Sequence, residues 1–344
     1  MKLGIQSLQF TSSRERPMAE QFEDALESLR YADEGGFDWI SASQHWMSAP
    51  TVWPQPFPWI SHMAAEFKNI GFMTQMLVLP LHNAVDVAEQ FATIDHLSRG
   101  RLILGCANGY RELELTAAGV SRKDRTSRVE EGIALMKALW SGRPVEFEGR
   151  WWNVQGGQMG YSPYRQPHPP IVLAAQSIGA TKRAARIAEG VFYGPQASFG
   201  EIEPLIELYR RTAEEHERQP GIIGAGRAIM IADSREAALR SAHAYAEKTM
   251  KMYSGWDMQE PGMASLRLEG DLDEWAIIGW PQDCVEQILK AHAVGLNHIT
   301  LTAYNLPSDQ QGRIEYVQRL AEEVVQPVKR ALGEAVLSTP ASGA

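Results

Sequence analysis

Cysteine is almost missing from this chain of 344 residues: Cys106 and Cys284 are the two it has, and they form no CxxC pair. A disulfide framework and a cysteine-rich zinc site are excluded on that ground. Basic residues are outnumbered, 33 Lys and Arg against 42 Asp and Glu, for a formal charge of −9. That balance gives no support to nucleic acid or an anionic membrane as a partner. Long apolar runs are lacking as well. The most apolar stretch, Ile70 to Leu81, is broken by Thr74 and Gln75 and is too short to span a bilayer. The first ten residues read as a strand and lack the apolar core and cleavage site of a signal peptide. A soluble, cytoplasmic protein is expected.

Several catalytic signatures are also absent. There is no HExxH, no GxSxG and no GxxxxGK[ST]. Gly224-Ala225-Gly226 stands before an expected strand rather than after one, the wrong context for a dinucleotide fingerprint. The nine histidines do not cluster at metal-ligand spacings, so no metal is expected.

What is present is a core and a rhythm. Hydrophobic residues make up 44% of the chain, with 10 each of Trp, Tyr and Phe, enough for a sizeable interior. Length alone would allow two domains, but strand and helix patterns alternate without a linker. Strands are expected at 2–9, 37–42, 70–79, 101–107, 171–174, 190–193, 228–232 and 297–302, nearly all continuous apolar runs, as a parallel sheet requires. Eight βα units point to an α/β fold, a closed (β/α)8 TIM barrel spanning 1–332 as a single domain. Two long connections, 142–170 and 254–280, are expected to cover something, and the tail 333–344 to be disordered.

In such a barrel, chemistry gathers where the strands end. The second strand runs into Ser43-Gln44-His45-Trp46, placing a histidine at the mouth, where it suits proton transfer; a packing role is the alternative. The following loop, 46–59, holds Trp46, Trp53, Phe57 and four prolines, and suggests an apolar substrate pocket or plain packing. Thr74 and Gln75, polar within an apolar run, need partners that a bound ring with amide edges could supply. Asn108 and Tyr110 follow a small-residue strand end. Gln176, Ser177 and Gly179 open a helix whose N–H groups could take a phosphate, although Ser177 could equally be a simple cap.

Four blocks make the chain resemble a known family: 78–110, 128–154, 170–190 and 278–301. In that order they resemble the bacterial luciferase-like flavin-dependent monooxygenases, along nearly the whole chain. The resemblance implies a TIM barrel with insertions and reduced FMN, supplied by a separate NAD(P)H-flavin reductase. It implies dioxygen as co-substrate, a flavin hydroperoxide, and transfer of oxygen to a small organic molecule. Homo-oligomers are implied too. Carried over by position, His45 assists proton transfer and steadies the peroxide. Gln75-Met76 matches a cis peptide beneath the flavin ring, and Gln176, Ser177 and Thr181 match the phosphate segment. The family's Glu-His-His-like triplet is Gln44-His45-Trp46 here, which speaks against light-emitting aldehyde chemistry. Asn108 stands where a relative has a phosphate-contacting Arg, and Ala107 where one has a reactive thiol; Cys106, on the opposite strand face, is expected in the core. A deazaflavin-dependent dehydrogenase or reductase of the same superfamily is the alternative, with Lys182 and Arg183 suggestive of a longer anionic cofactor tail. A non-catalytic flavin-binding protein is a third reading.

Overall fold

A computed structural model describes residues 1–8, 10–12, 16–195, 197–254 and 276–334. Eight strands follow one another around a ring: β1 (Lys2–Gln6), β2 (Trp39–Ala42), β3 (Gly71–Thr74), β4 (Leu102–Ala107), β5 (Ile171–Ala175), β6 (Gly190–Tyr193), β7 (Ile222–Ile231) and β8 (His298–Ala303). All pair in parallel. Leu104 of β4 lies opposite Ile171 of β5, and His298 of β8 opposite Lys2 of β1, so the sheet closes on itself. The expected TIM barrel is the fold observed.

Helices clothe the outside: α1 (Met18–Glu34), α2 (Pro56–Glu66), α3 (Ala84–Ser98), α4 (Glu112–Ala117), α5 (Arg125–Leu139), α6 (Ile178–Ile187), α7 (Phe199–Glu215), α8 (Arg235–Ser254), α9 (Pro281–Val294), α10 (Gln310–Leu320) and α11 (Gln326–Ala331). Local chemistry sets their ends. Asn83 caps α3 by accepting from Val85 N–H at 2.9 Å, and the chain leaves that helix through left-handed turns at Arg99 and Gly100. Ser198 and Glu201 form a reciprocal capping box on α7. A π-turn at Ala321–Val325 joins α10 to α11, just before Pro327, which has no N–H to continue a regular ladder.

Two sequence expectations are corrected. The second helix starts at Pro56 rather than Ile60, because proline is favoured in the first helical turn, so the proline-rich loop is shorter than expected. The seventh strand starts at Ile222 rather than Ala228, with Gly224-Ala225-Gly226 inside it. A Cβ on Gly224 would sit 2.3 Å from the Phe192 ring, so the glycine makes room for that ring inside the barrel. The upper half of β7 also pairs with an extra strand, Ala276–Gly279, out of the connection 254–280. The connection 142–170 carries an antiparallel hairpin, Val145–Glu148 with Asn153–Gly157. Residues 255–275, with Trp256 and Trp275, and most of the tail lie outside the described residues.

Candidate active site

Inside the barrel a lower layer of Trp39, Met73, Val172 and Phe192 is apolar and sealed. Above it the interior turns polar. Trp39 Nε1 donates to Thr300 Oγ1 at 3.1 Å, and Thr300 donates to Gln75 Oε1 at 2.6 Å. Ser43 Oγ donates to the Gln75 carbonyl at 2.7 Å and accepts from Gln6 Nε2 at 2.8 Å, while Thr302 donates to Gln6 Oε1 at 2.7 Å. Four strands are thereby tied under one floor, and the Gln75-Met76 peptide within it is cis. Gly105 and Gly226 border this floor. A Cβ on Gly105 would lie 2.7 Å from Met76 Sδ, and one on Gly226 3.4 Å from Gln75 Nε2. Thr74 is fully buried, and its hydroxyl is committed to Gly105, donating to the carbonyl and accepting from the N–H, each at 2.9 Å.

His45 follows β2 and stands at the mouth, its side chain 14% exposed. Its Nδ1 is 2.9 Å from Glu114 Oε1, an oxygen that also accepts from Trp46 N–H at 2.9 Å and lies 3.5 Å from Arg111 Nη1. Burial alone would raise the pKa of Glu114. The hydrogen bond and charge of His45, the Trp46 N–H and Arg111 outweigh it and hold the carboxyl below its ordinary value. An ionised carboxylate accepts only, so Nδ1 carries the proton and Nε2 is the second titrating nitrogen of the ring. Trp53 and Tyr110 flank the imidazole edge-on, with centroids 5.4 and 5.8 Å away.

Beside His45 opens a cleft of about 510 Å³ lined by Trp46, Met47, Ser48, Ala49, Thr51, Val52, Trp53 and Gln55. No Lys or Arg is among these lining residues. Phe57, expected in this pocket, is instead packed into the core against Phe91 at 5.7 Å and His82 at 6.0 Å, because the early start of α2 turns it inward. His82 is pushed down to a pKa of about 4 by burial and meets Gln44 Nε2 at 2.8 Å, so it is a neutral acceptor beneath Trp46.

The expected phosphate segment lies where β4 and β5 end, beside the starts of α5 and α6. Ser177 caps α6, accepting from Ala180 N–H at 3.3 Å; Ser177 and Gly179 are exposed and Gln176 is half-buried. Thr181 is fully buried with its hydroxyl beside that of Tyr193, one turn deeper than a surface phosphate contact. Asn108 donates to Thr126 Oγ1 at 2.9 Å, which ties the end of β4 to the start of α5. Arg183 and Glu130 join the two helices at 2.8 Å. Arg128 lies in the first turns of α5, stacked 4.7 Å over Trp151 of the hairpin loop, its Nε buried and unpartnered. Cys106 is fully buried, and burial pushes its thiol pKa up, so it has no thiolate character at neutral pH.

Of the sequence candidates, the structure gathers His45, Trp46, Trp53 and Tyr110 at one side of the mouth. Gln75 and Met76 lie in the floor, and Asn108, Gln176, Ser177 and Gly179 at the rim between β4 and β5. Glu114, Arg111 and Arg128 were not foreseen. The Arg-x-x-Glu spacing at 111–114 signals a helix-face pair, but nothing in it points across 69 residues to His45. Among the described residues no cluster of His, Cys, Asp or Glu could hold a metal ion, and no helix is long and apolar enough to cross a membrane.

Comparison with known proteins matches residues 1–298 to the family described as luciferase-like monooxygenases. An F420-dependent glucose-6-phosphate dehydrogenase of Nakamurella multipartita is 24% identical over 336 residues, 92% of this chain and 96% of that protein. The oxygenase component of a flavin-dependent trigonelline monooxygenase from Acinetobacter baylyi is 28% identical over 236 residues, 67% of this chain and 65% of its own. Among solved structures, the monooxygenase RslO1 from Streptomyces bottropensis superposes with a TM-score of 0.83 at 21% identity, covering 95% of this chain and 99% of that one.

Proposed function

This chain belongs to the luciferase-like monooxygenase family, and from that premise we propose that it is a flavin-dependent monooxygenase acting on a small, predominantly apolar organic molecule. Reduced FMN would come from a separate NAD(P)H-flavin reductase, and dioxygen would be the co-substrate. The observation that carries the reading is His45, backed by a buried carboxylate and facing an aromatic cleft whose walls hold no cation.

The residues suit a flavin mononucleotide. A phosphate fits the rim at the N-terminus of α6, where Ser177 and Gly179 are exposed; Arg128, whose buried Nε lacks a partner, lies in the first turns of α5. A flat ring fits the floor, where the space that a Cβ on Gly226 would fill is open, its nearest neighbour being Gln75 Nε2 at 3.4 Å. When bound, reduced FMN supplies the electrons that activate dioxygen. The chain's own part is then electrostatic and steric. His45 Nε2 delivers or takes up a proton, with Glu114 holding Nδ1–H and steadying the imidazolium as it forms. Trp46 and Trp53 exclude water and hold an apolar substrate over the floor.

A second reading, a deazaflavin-dependent dehydrogenase, is favoured by the same pair, since a carboxylate-backed histidine can also take the proton of an alcohol as hydride leaves. Glucose 6-phosphate suits the cleft poorly, because a phosphate needs cationic partners that its lining lacks. Titration with reduced FMN and with a reduced deazaflavin separates the readings. Tight binding of reduced FMN, then an oxygen-dependent near-ultraviolet transient on stopped-flow mixing, is the expected result. Binding of the deazaflavin alone would replace the proposal with the second reading.

A further inference from the structure

The carboxylate beneath His45 has a partner that the proton transfer does not itself use. Arg111 is buried at the start of α4, with 8% of its surface exposed. One arm of its guanidinium, Nη1, donates to the Trp46 carbonyl and lies 3.5 Å from Glu114 Oε1. The other, Nη2, donates to the Met47 carbonyl at 3.0 Å, where the chain turns through a left-handed residue (φ 49°). One side chain thus holds both the loop that carries His45 and the acid that orients it.

The charge arithmetic gives this contact a consequence. A buried carboxylate 2.9 Å from an imidazole, with no other counter-charge, favours the protonated ring and raises its proton affinity. Such a histidine would keep a proton that the reaction needs it to exchange. With Arg111 beside Glu114 the pair is close to neutral, so the carboxylate can orient Nδ1–H without trapping a charge on the ring. Trp53 and Tyr110 present ring edges, and the cleft adds the uncharged Ser48, Thr51 and Gln55. His82 faces Gln44, and Arg122 and Arg125 donate to the carbonyls of Tyr110 and Gly109.

We propose that Arg111 is a positioning residue that sets the proton affinity of His45 by neutralising Glu114, while its fork fixes the 46–47 loop. The inference rests on His45 as the proton-handling group and is indifferent to which flavin binds. Its test therefore reads the histidine directly, in the full chain without cofactor. Nitrogen-15 NMR of histidine-labelled protein, with the His45 signals assigned through His45→Gln, gives the pH midpoint and tautomer of that ring.

In Arg111→Met the midpoint should rise by about one pH unit, the lower end of what an uncompensated neighbouring charge produces. Arg111→Lys keeps the charge but not the fork, and should return the midpoint most of the way toward the parent. Should Arg111→Met not fold, Glu114→Gln gives the converse measurement, a midpoint lowered by a similar amount. Equal midpoints in the parent, the Met variant and the Lys variant would overturn the proposal, as would an unchanged midpoint in Glu114→Gln. Equal displacement in the Met and Lys variants, tracking lost stability rather than charge, would reduce Arg111 to a structural brace. Failure of the FMN titration would leave these outcomes intact.

Discussion

At the N-terminal end of the barrel strands, Asp38 is held by Lys2 and Lys329 at 3.0 Å each, and it accepts from Leu3 N–H at 2.8 Å. At the C-terminal end, Glu114 turns one oxygen to His45, Trp46 and Arg111, and the histidine it supports faces an open cleft. Glu114 is buried and Asp38 half-buried, and both are paired. The difference is what they hold: Asp38 locks strand ends and helix α11 together, whereas Glu114 orients a group that can still exchange a proton. One end of a barrel is tuned for stability and the other for chemistry.

Exchanging a residue at each end should separate those roles. His45→Ala is expected to slow the oxygen-dependent reaction of the reduced-FMN complex by about a thousandfold, within the range of general acid–base catalysis. Its stability should stay close to that of the parent in urea unfolding. Asp38→Ala is expected to do the reverse, removing about 3 kcal/mol of stability by stranding a buried Lys329, with the rate per folded molecule unchanged. A rate loss in Asp38→Ala as large as that in His45→Ala would abolish the distinction.

Acid should strain both ends alike. His82 near the mouth and His298 at the bottom are each pushed down by burial to a pKa of about 4. In the unfolded chain both would take up a proton near pH 6.5. Between those values the unfolded state binds more protons, so stability is complete above about pH 6.5 and is lost as pH falls toward 4. Each histidine should contribute up to about 3 kcal/mol to that loss. Urea unfolding followed across this window should show the slope, and His82→Gln and His298→Gln should each flatten it. A parent slope of zero would show that neither ring is held neutral.

How much of this was legible in the sequence differs between the same two ends. Continuous apolar runs such as Ile171–Ala175 and Gly190–Tyr193 announce buried parallel strands, because nothing but burial on both faces requires them. The strand through Gly224-Ala225-Gly226 was hidden, since Gly224 exists for the Phe192 ring, which approaches from a neighbouring strand. His45 was legible from its place after β2. Glu114 was not, because only closure of the barrel brings α4 over the end of β2. Phe57 was misread for a simpler reason: Pro56 begins a helix there, and the first turn points the ring into the core.

The rim offers a smaller test. Ser177→Asp places a carboxylate at the α6 N-terminus, where the helix dipole welcomes it in the empty protein and a phosphate would be repelled. Affinity for reduced FMN should fall about tenfold, an effect of 1.4 kcal/mol by the usual conversion, while thermal stability holds or rises slightly. Unchanged affinity would move the phosphate away from this rim and leave Ser177 as the cap it already is.

The smallest effect separates the sealed layer of the barrel from the layer above it. A methyl group added at Gly224 meets the Phe192 ring at 2.3 Å and must displace it, whereas one added at Gly226, two residues higher, meets Gln75 Nε2 at 3.4 Å, an ordinary contact. Gly226→Ala should therefore change the unfolding free energy by no more than about 0.5 kcal/mol, well below the typical 1–3 kcal/mol of overpacking. If the flat ring of the cofactor rests on this floor, the same methyl group should still weaken flavin binding several-fold. A variant that loses stability as Gly224→Ala does would mean that the upper layer is packed as tightly as the lower one. A variant that binds reduced FMN as well as the parent would place the ring elsewhere in the mouth.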